Sequence, residues 1–155
     1  MPDSPKKTDI LVETLIKQDE ILSELLSITL RQREALKDGR MPDLQDLMSE
    51  MRHISVRAQA IETRRERTAR AFADEIGCEP VVSSIIAFLE PEEAELVEAA
   101  SRKLISTVDN LKVEMSILAR LMDEAKDLNE VLITEWRKVS ARMAGAPMGG
   151  FDTRI

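Results

Sequence analysis

Apolar residues recur at alternating three- and four-residue steps along three long stretches of the chain, which is the spacing of an amphipathic helix. The second stretch covers residues 43–76, and the third covers 92–143 with every step of three or four residues. The first, 8–38, carries a leucine stripe with three polar residues in the same register: Leu11, Leu15, Gln18, Leu22, Leu25, Thr29, Gln32 and Leu36. The pattern therefore predicts three long helices.

Glycine and proline separate these stretches, with Gly39 and Gly77 just past two predicted helix ends and Pro91 just inside the third start. Residues 81–89 are apolar but isolated, so a strand there would have no partner, and we expect a short helix or a tight loop over the end of the bundle. The prediction is an all-α fold, an antiparallel three-helix bundle or coiled coil with a long C-terminal helix and one short connecting helix. Residues 1–144 would form a single domain and 145–155 a flexible tail.

The third helix is predicted to be longer than its two companions. At about 1.5 Å per residue, 8–38 and 43–76 would span roughly 46 and 51 Å, whereas 92–143 would span roughly 78 Å. Its last turns would therefore extend beyond the bundle or break, and the weak helix formers at 106–110 are the predicted kink. An overhanging stripe would expose Leu132, Trp136 and Val139, and contiguous exposed apolar surface indicates a partner.

Composition and charge narrow the function classes. Aromatic residues make up 3% of the chain and charged residues 33%, which suits long helices and argues against a β-sandwich or barrel. The net charge of −7 repels phosphate backbones, so nucleic acid is not an expected partner. A single cysteine, Cys78, and the lack of any apolar run long enough to span a bilayer indicate a cytoplasmic protein.

Catalytic chemistry has little support in the sequence. His53 is the only histidine, and with Glu50 it has the Glu-x-x-His spacing of a di-iron bundle ligand, but such a site needs a second copy. The glycines are scattered at helix ends and form no phosphate-binding loop. We therefore expect a protein that is not an enzyme and that uses no cofactor or metal.

One basic cluster stands out on the second predicted helix, at Arg64, Arg65, Arg67 and Arg70, interleaved with acidic residues. Arg65 falls on the apolar register, so its stem would pack while its head reaches solvent. A solvated, salt-bridged face is the preferred interpretation, and a docking surface for an acidic partner is the alternative.

The predicted partner surface follows the apolar seams in the second half of the third helix. Trp136 is its most informative residue, because indole side chains are enriched at interface hot spots, although core packing has equal weight. Asn129, the only polar member, would fix register in a paired helix or face solvent. The candidate residues are Leu118, Leu121, Met122, Ala125, Leu128, Asn129, Leu132, Trp136, Val139 and Met143.

Residues 28–66 resemble the FlgN-type flagellar export chaperones, above all in Leu-Arg-Gln-Arg-Glu-Ala-Leu-Lys-Asp-Gly-Arg-Met-Pro-Asp-Leu from residue 30 onward. The stretch Leu-Asn-Glu-Val-Leu at 128–132 is similar to an Asn-x-x-Leu-Leu-type segment of that family. Phe151, followed by Asp, lies in a tail segment where relatives often carry Tyr-Asp, and it would make a weak tail contact.

This resemblance implies a cytoplasmic, non-catalytic chaperone for flagellar hook–filament junction (hook-associated) subunits. It would bind that cargo through its C-terminal amphipathic helix, prevent premature association and deliver the cargo to the flagellar export gate. Two other classes stay open: a homo-oligomeric structural or adaptor coiled coil, for instance a homodimer, and an enzyme or metal protein of the bundle type.

Overall fold

The computed structural model describes residues 6–125 and 130–143, and the regular elements of this part of the chain are helices. The predicted all-α bundle is confirmed. The first two helices begin and end within two residues of their predicted bounds. The helices of residues 6–125 and 130–143 are α1 (Lys7–Lys37), α2 (Met41–Ile76), α3 (Val82–Ile86), α4 (Pro91–Glu124) and α5 (Glu130–Met143).

Helix α1 is the central element and packs along both α2 and α4. The first turns of α1 lie beside the end of α2 and the start of α4, where Lys7 pairs with Glu75 and Lys6 lies 4.0 Å from Glu93. Helix α2 is therefore antiparallel to α1, and α4 is parallel to it. The stripe of α1 is buried from Leu11 to Gln32, as its register predicted, and Leu36 at its end is half-buried.

Two short elements complete the bundle. Helix α3 packs against α4 and α2, with Val82 and Ile85 buried, so a short helix does cover one end of the bundle. Helix α5 packs mainly on α2 and also meets α4. The apolar side chains of all these helices join one continuous core.

Backbone geometry explains where α1 and α2 stop. Gly39 and Gly77 have φ values of +69° and +75°, in the left-handed region that side chains with a Cβ atom disfavour. Gly77 is the C-terminal cap of α2 and donates its N–H to the carbonyl of Ala73. A glycine just past the last turn thus ends the helix, as the sequence predicted.

The kink predicted at 106–110 is wrong, because α4 runs unbroken through this segment. Leu104, Val108 and Leu111 are buried in the core, and Thr107 donates its hydroxyl to the buried carboxylate of Asp19 on α1 at 2.5 Å. Weak helix propensity costs at most about 0.7 kcal/mol per residue, which is less than the burial of one leucine contributes. Tertiary packing therefore keeps the helix straight here.

The helix breaks after Glu124 instead, where Ala125 adopts an extended backbone with φ −80° and ψ 98°. The predicted overhang is therefore also wrong. A straight continuation would carry residue 136 about 18 Å past the end of α4. The described residues of α5 lie back against the bundle, and their apolar face is at most 5% exposed: Leu132, Trp136, Val139 and Met143.

Burial of apolar surface explains this return. Covering four large side chains contributes roughly 1.5–3 kcal/mol each, as an upper estimate, whereas a break gives up a few backbone hydrogen bonds of about 0.5–1.5 kcal/mol each. Leu128, Asn129, Phe151 and the predicted tail 145–155 lie outside the described residues. The division into one domain of residues 1–144 and a tail stays a prediction.

Candidate partner-binding site

The candidate site is the surface of the bundle on which α5 packs, here called the α5 seat. It is formed mainly by α2, with contributions from α4 and from Gln32 of α1. Leu132, Trp136, Val139 and Met143 recur every three or four residues along α5, so they form one apolar face, and this face is buried. Val131, on the same helix, is 73% exposed. An amphipathic helix laid into a groove of other helices is a general mode of helix recognition, here made within one chain.

A buried polar contact lies at the centre of this seat. The indole Nε1 of Trp136 donates a hydrogen bond to the side-chain oxygen of Gln32 on α1, at 3.3 Å. The amide nitrogen of Gln32 lies 3.7 Å from the Met48 sulfur and 3.5 Å from the Met51 sulfur, both on α2. Sulfur is a weak acceptor, so the indole is the strongest polar partner of this buried glutamine. Gln32 thus gives the buried indole N–H of Trp136 an acceptor.

Two ion pairs lie at the rim of the seat. Glu135 of α5 pairs with Arg52 of α2, and Arg137 of α5 pairs with Asp123 near the end of α4. All four side chains are at least partly exposed, so each pair contributes only about 0–1 kcal/mol. The ion pairs therefore orient α5, and its apolar face supplies most of the docking energy.

The remaining residues of the predicted surface fall into two groups. Leu118 and Met122 of α4 are buried in the same core cluster as the α5 face. Leu121 and Ala125 are half-buried and line a cleft of about 470 Å³ at the shared end of α1 and α4, together with Leu36. The cleft is open with α5 in place. It is large enough to receive an apolar side chain from a partner.

Sequence reasoning missed the role of Gln32, although a signal was present. Gln32 occupies a position in the leucine register of α1, where a polar side chain needs a buried partner. Gln18 occupies a similar position and donates to Glu62 on α2 at 2.5 Å. Polar residues in an apolar register therefore marked the points where α1 makes specific contacts, but the register alone names no partner.

The basic cluster is divided by the fold. Arg65 is 1% exposed and pairs with Glu62 inside the bundle, so the expectation that its head reaches solvent is wrong. The pairing with an acidic neighbour three residues away makes this burial tolerable, because an unpaired buried charge would cost several kcal/mol. His53 is exposed, and the described residues contain no group of three His, Cys, Asp or Glu side chains arranged to hold a metal ion.

Comparison with known proteins agrees with the resemblance seen in the sequence. Residues 1–142 match the family model described as FlgN protein. Searches of curated proteins and of solved structures found no match. Across the described residues, none of the helices combines the length and apolar character needed to cross a membrane. Because the family match covers more than nine-tenths of the 155 residues, the chain belongs to the FlgN family of flagellar export chaperones.

Proposed function

We propose that this chain binds flagellar hook-associated subunits in the cytoplasm through its C-terminal helical region. In this proposal it prevents their premature association and delivers them to the flagellar export gate. Family membership supports a chaperone role in general. The seat of α5 supports the binding part, because α5 is an amphipathic helix that already packs against other helices, and its apolar face can pair with a cargo helix of similar pattern once α5 is released.

The proposed interface comprises two zones. Leu121 and Ala125 in the open cleft are accessible while α5 is seated, and they provide the first contact. The second zone is the apolar face of α5, together with two α4 residues of the same core cluster and the two residues that precede α5 in the sequence, and it is proposed to bind cargo when α5 leaves its seat. Its proposed members are Leu118, Met122, Leu128, Asn129, Leu132, Trp136, Val139 and Met143.

The observation that carries the proposal is that α5 is held by a combination of buried contacts and solvent-exposed contacts. Four buried apolar side chains, the buried hydrogen bond from Trp136 to Gln32 and exposed ion pairs hold this helix, which is only 14 residues long. A short terminal helix with exposed rim contacts opens at a lower free energy than the central helices. Release of α5 therefore costs less than unfolding of the bundle, and cargo can offset that cost.

The first test changes the apolar face of α5, and circular dichroism checks that the bundle keeps its helicity. Leu132→Asp places a charge in this face, and we expect loss of hook-associated cargo in a pull-down with purified protein. Val131→Asp is the matched control, because Val131 lies on the same helix but is exposed, and its cargo binding should be unchanged. Unchanged or increased binding of Leu132→Asp would refute α5 as the cargo-binding element.

The second test loosens α5 while its apolar face stays intact. Glu135→Arg removes the pair with Arg52 and places two positive charges together, so it favours release of α5. We expect cargo affinity to rise by a few-fold, in line with an exposed pair worth about 1 kcal/mol. The double variant Arg52→Glu/Glu135→Arg restores opposite charges and should return the affinity to that of the original chain.

Delivery is tested in cells that carry either variant. If the chain delivers its cargo for export, Leu132→Asp should lower the amount of hook-associated subunits in the culture medium, and Val131→Asp should leave it unchanged. Normal export by Leu132→Asp together with lost binding in vitro would separate the two parts of the proposal and refute delivery by this route.

A further inference from the structure

The outer surface of α2 carries a row of positive charge that the α5 seat does not use. Arg65 turns inward to Glu62, whereas Arg64, Arg67 and Arg70 stay exposed on the outside of the helix. Their spacing of three residues places them on neighbouring turns of one side. The inward turn of Arg65 therefore converts a mixed cluster into a one-sided row.

The three exposed arginines lack the acidic partners that a salt-bridged face would have. Within residues 6–125 and 130–143, no carboxylate lies within 4.0 Å of their guanidinium groups. Glu66 is exposed among them, and it is the only acidic residue between 64 and 70. The predicted salt-bridged face is therefore not formed, and the local net charge is positive on a chain whose net charge is −7.

A shallow groove adjoins this row on the α1 side. It has a volume of about 400 Å³, and its floor includes Ile21 and Ile61. Its rim carries Lys17, Arg57 and Arg64 together with Glu20, and both Lys17 and Arg57 pair with glutamates of α1. The groove thus offers an apolar floor beside the exposed Arg64 guanidinium, which suits an apolar anchor residue next to an acidic one.

The row is separate from the α5 seat along α2. Arg52, which pairs with α5, precedes Arg64 and Arg70 by about 18 and 27 Å of helix at about 1.5 Å per residue. No described residue of α5 lines the groove, so both surfaces can be occupied at once. A partner bound at the row would not need to displace α5.

We infer that the row Arg64, Arg67 and Arg70, with its adjoining groove, docks an acidic segment of a partner protein that carries an apolar anchor residue. Charge complementarity supports this occupant: three unpaired guanidinium groups lie in a line about 9 Å long, which fits one acidic strand or helix. The net charge of −7 disfavours approach of the whole molecule to an anionic bilayer, so a protein segment is the occupant that the charges favour.

The test uses the full chain and a fluorescent peptide of about 16 residues, with leucine at every third or fourth position and glutamate elsewhere. Fluorescence anisotropy at about 50 mM salt should show binding that weakens at about 500 mM, where screening is strong. Arg64→Gln/Arg67→Gln/Arg70→Gln should weaken it by about 10-fold to 100-fold, since three exposed charge contacts are lost.

A control variant removes the same total charge elsewhere. Arg31→Gln/Arg102→Gln/Arg120→Gln changes three exposed arginines that are spread over α1 and α4, and it should bind the peptide as the original chain does. Thermal melts by circular dichroism verify that both triple variants stay folded.

Three results would overturn the inference. Equal losses in both triple variants would mean that only net charge matters. Equal affinity for a scrambled peptide of the same composition would mean that the groove selects no anchor. Binding to vesicles with one-third phosphatidylserine that depends on Arg64, Arg67 and Arg70, without binding to the peptide, would assign the row to a membrane surface. Cargo pull-down with the Leu132→Asp variant tests the other surface independently.

Discussion

Substitution of Trp136 and of Gln32, singly and together, gives the sharpest test of how α5 is held. Trp136→Phe keeps an aromatic ring in the seat but removes the N–H donor, so the buried oxygen of Gln32 loses its partner. Gln32→Met has nearly the same volume as glutamine and leaves the indole N–H without an acceptor. Each single change leaves one buried polar group without its hydrogen-bond partner, and the double change removes both the donor and the acceptor.

The magnitudes follow from the geometry. Leaving one buried polar group unsatisfied costs about 1–3 kcal/mol, and the 3.3 Å length of this bond places it at the low end. Trp136→Phe adds about 1 kcal/mol for lost apolar contact. We expect the double variant to be less destabilised than the sum of the singles by about 1 kcal/mol, as for other residues in direct contact.

The assay must separate release of α5 from unfolding of the bundle. Hydrogen exchange of the amides at 130–143 reports release, and urea denaturation followed by circular dichroism reports the bundle. The single variants should speed exchange in α5 by about 5-fold to 100-fold while the urea midpoint changes much less, because α5 leaves before α1 and α2 separate. Additive effects of the two changes, or equal losses in both assays, would refute the idea that this contact holds α5.

Three further variants test the bundle itself by urea denaturation. Arg65→Met removes the charge partner of Glu62 and should cost about 3–5 kcal/mol, and Arg65→Met/Glu62→Gln, which removes the charge but keeps an acceptor for Gln18, should recover much of this; no recovery would refute the buried pair. Thr107→Val removes the donor to Asp19 and should cost about 1–3 kcal/mol, whereas a neutral result would show that water replaces the hydroxyl. Gly77→Ala should cost about 1 kcal/mol through backbone strain alone, because its Cβ atom would meet no neighbour; a larger loss would indicate a clash.

Local patterns predicted much of the fold. The register of leucines placed α1 and α2 to within two residues, since helix periodicity and glycine caps depend on neighbouring residues only. The same patterns identified Trp136 and its neighbours as one apolar face. They did not reveal that the face is covered, because the partner, Gln32, lies about a hundred residues away in sequence.

The sequence by itself determined the bounds of α1 and α2, which side of each long helix is apolar, and that the third helical stretch is too long for a simple three-helix bundle. Only the tertiary structure decided where the last part of this stretch lies: helix α4 ends at Glu124, and α5 packs against α2. It also decided that Arg65 turns inward while its neighbours stay outside. The physical reason is the same in both cases. Whether a side chain is buried depends on residues that are far away in the sequence, and the local spacing of apolar residues does not say which of these residues will lie nearby.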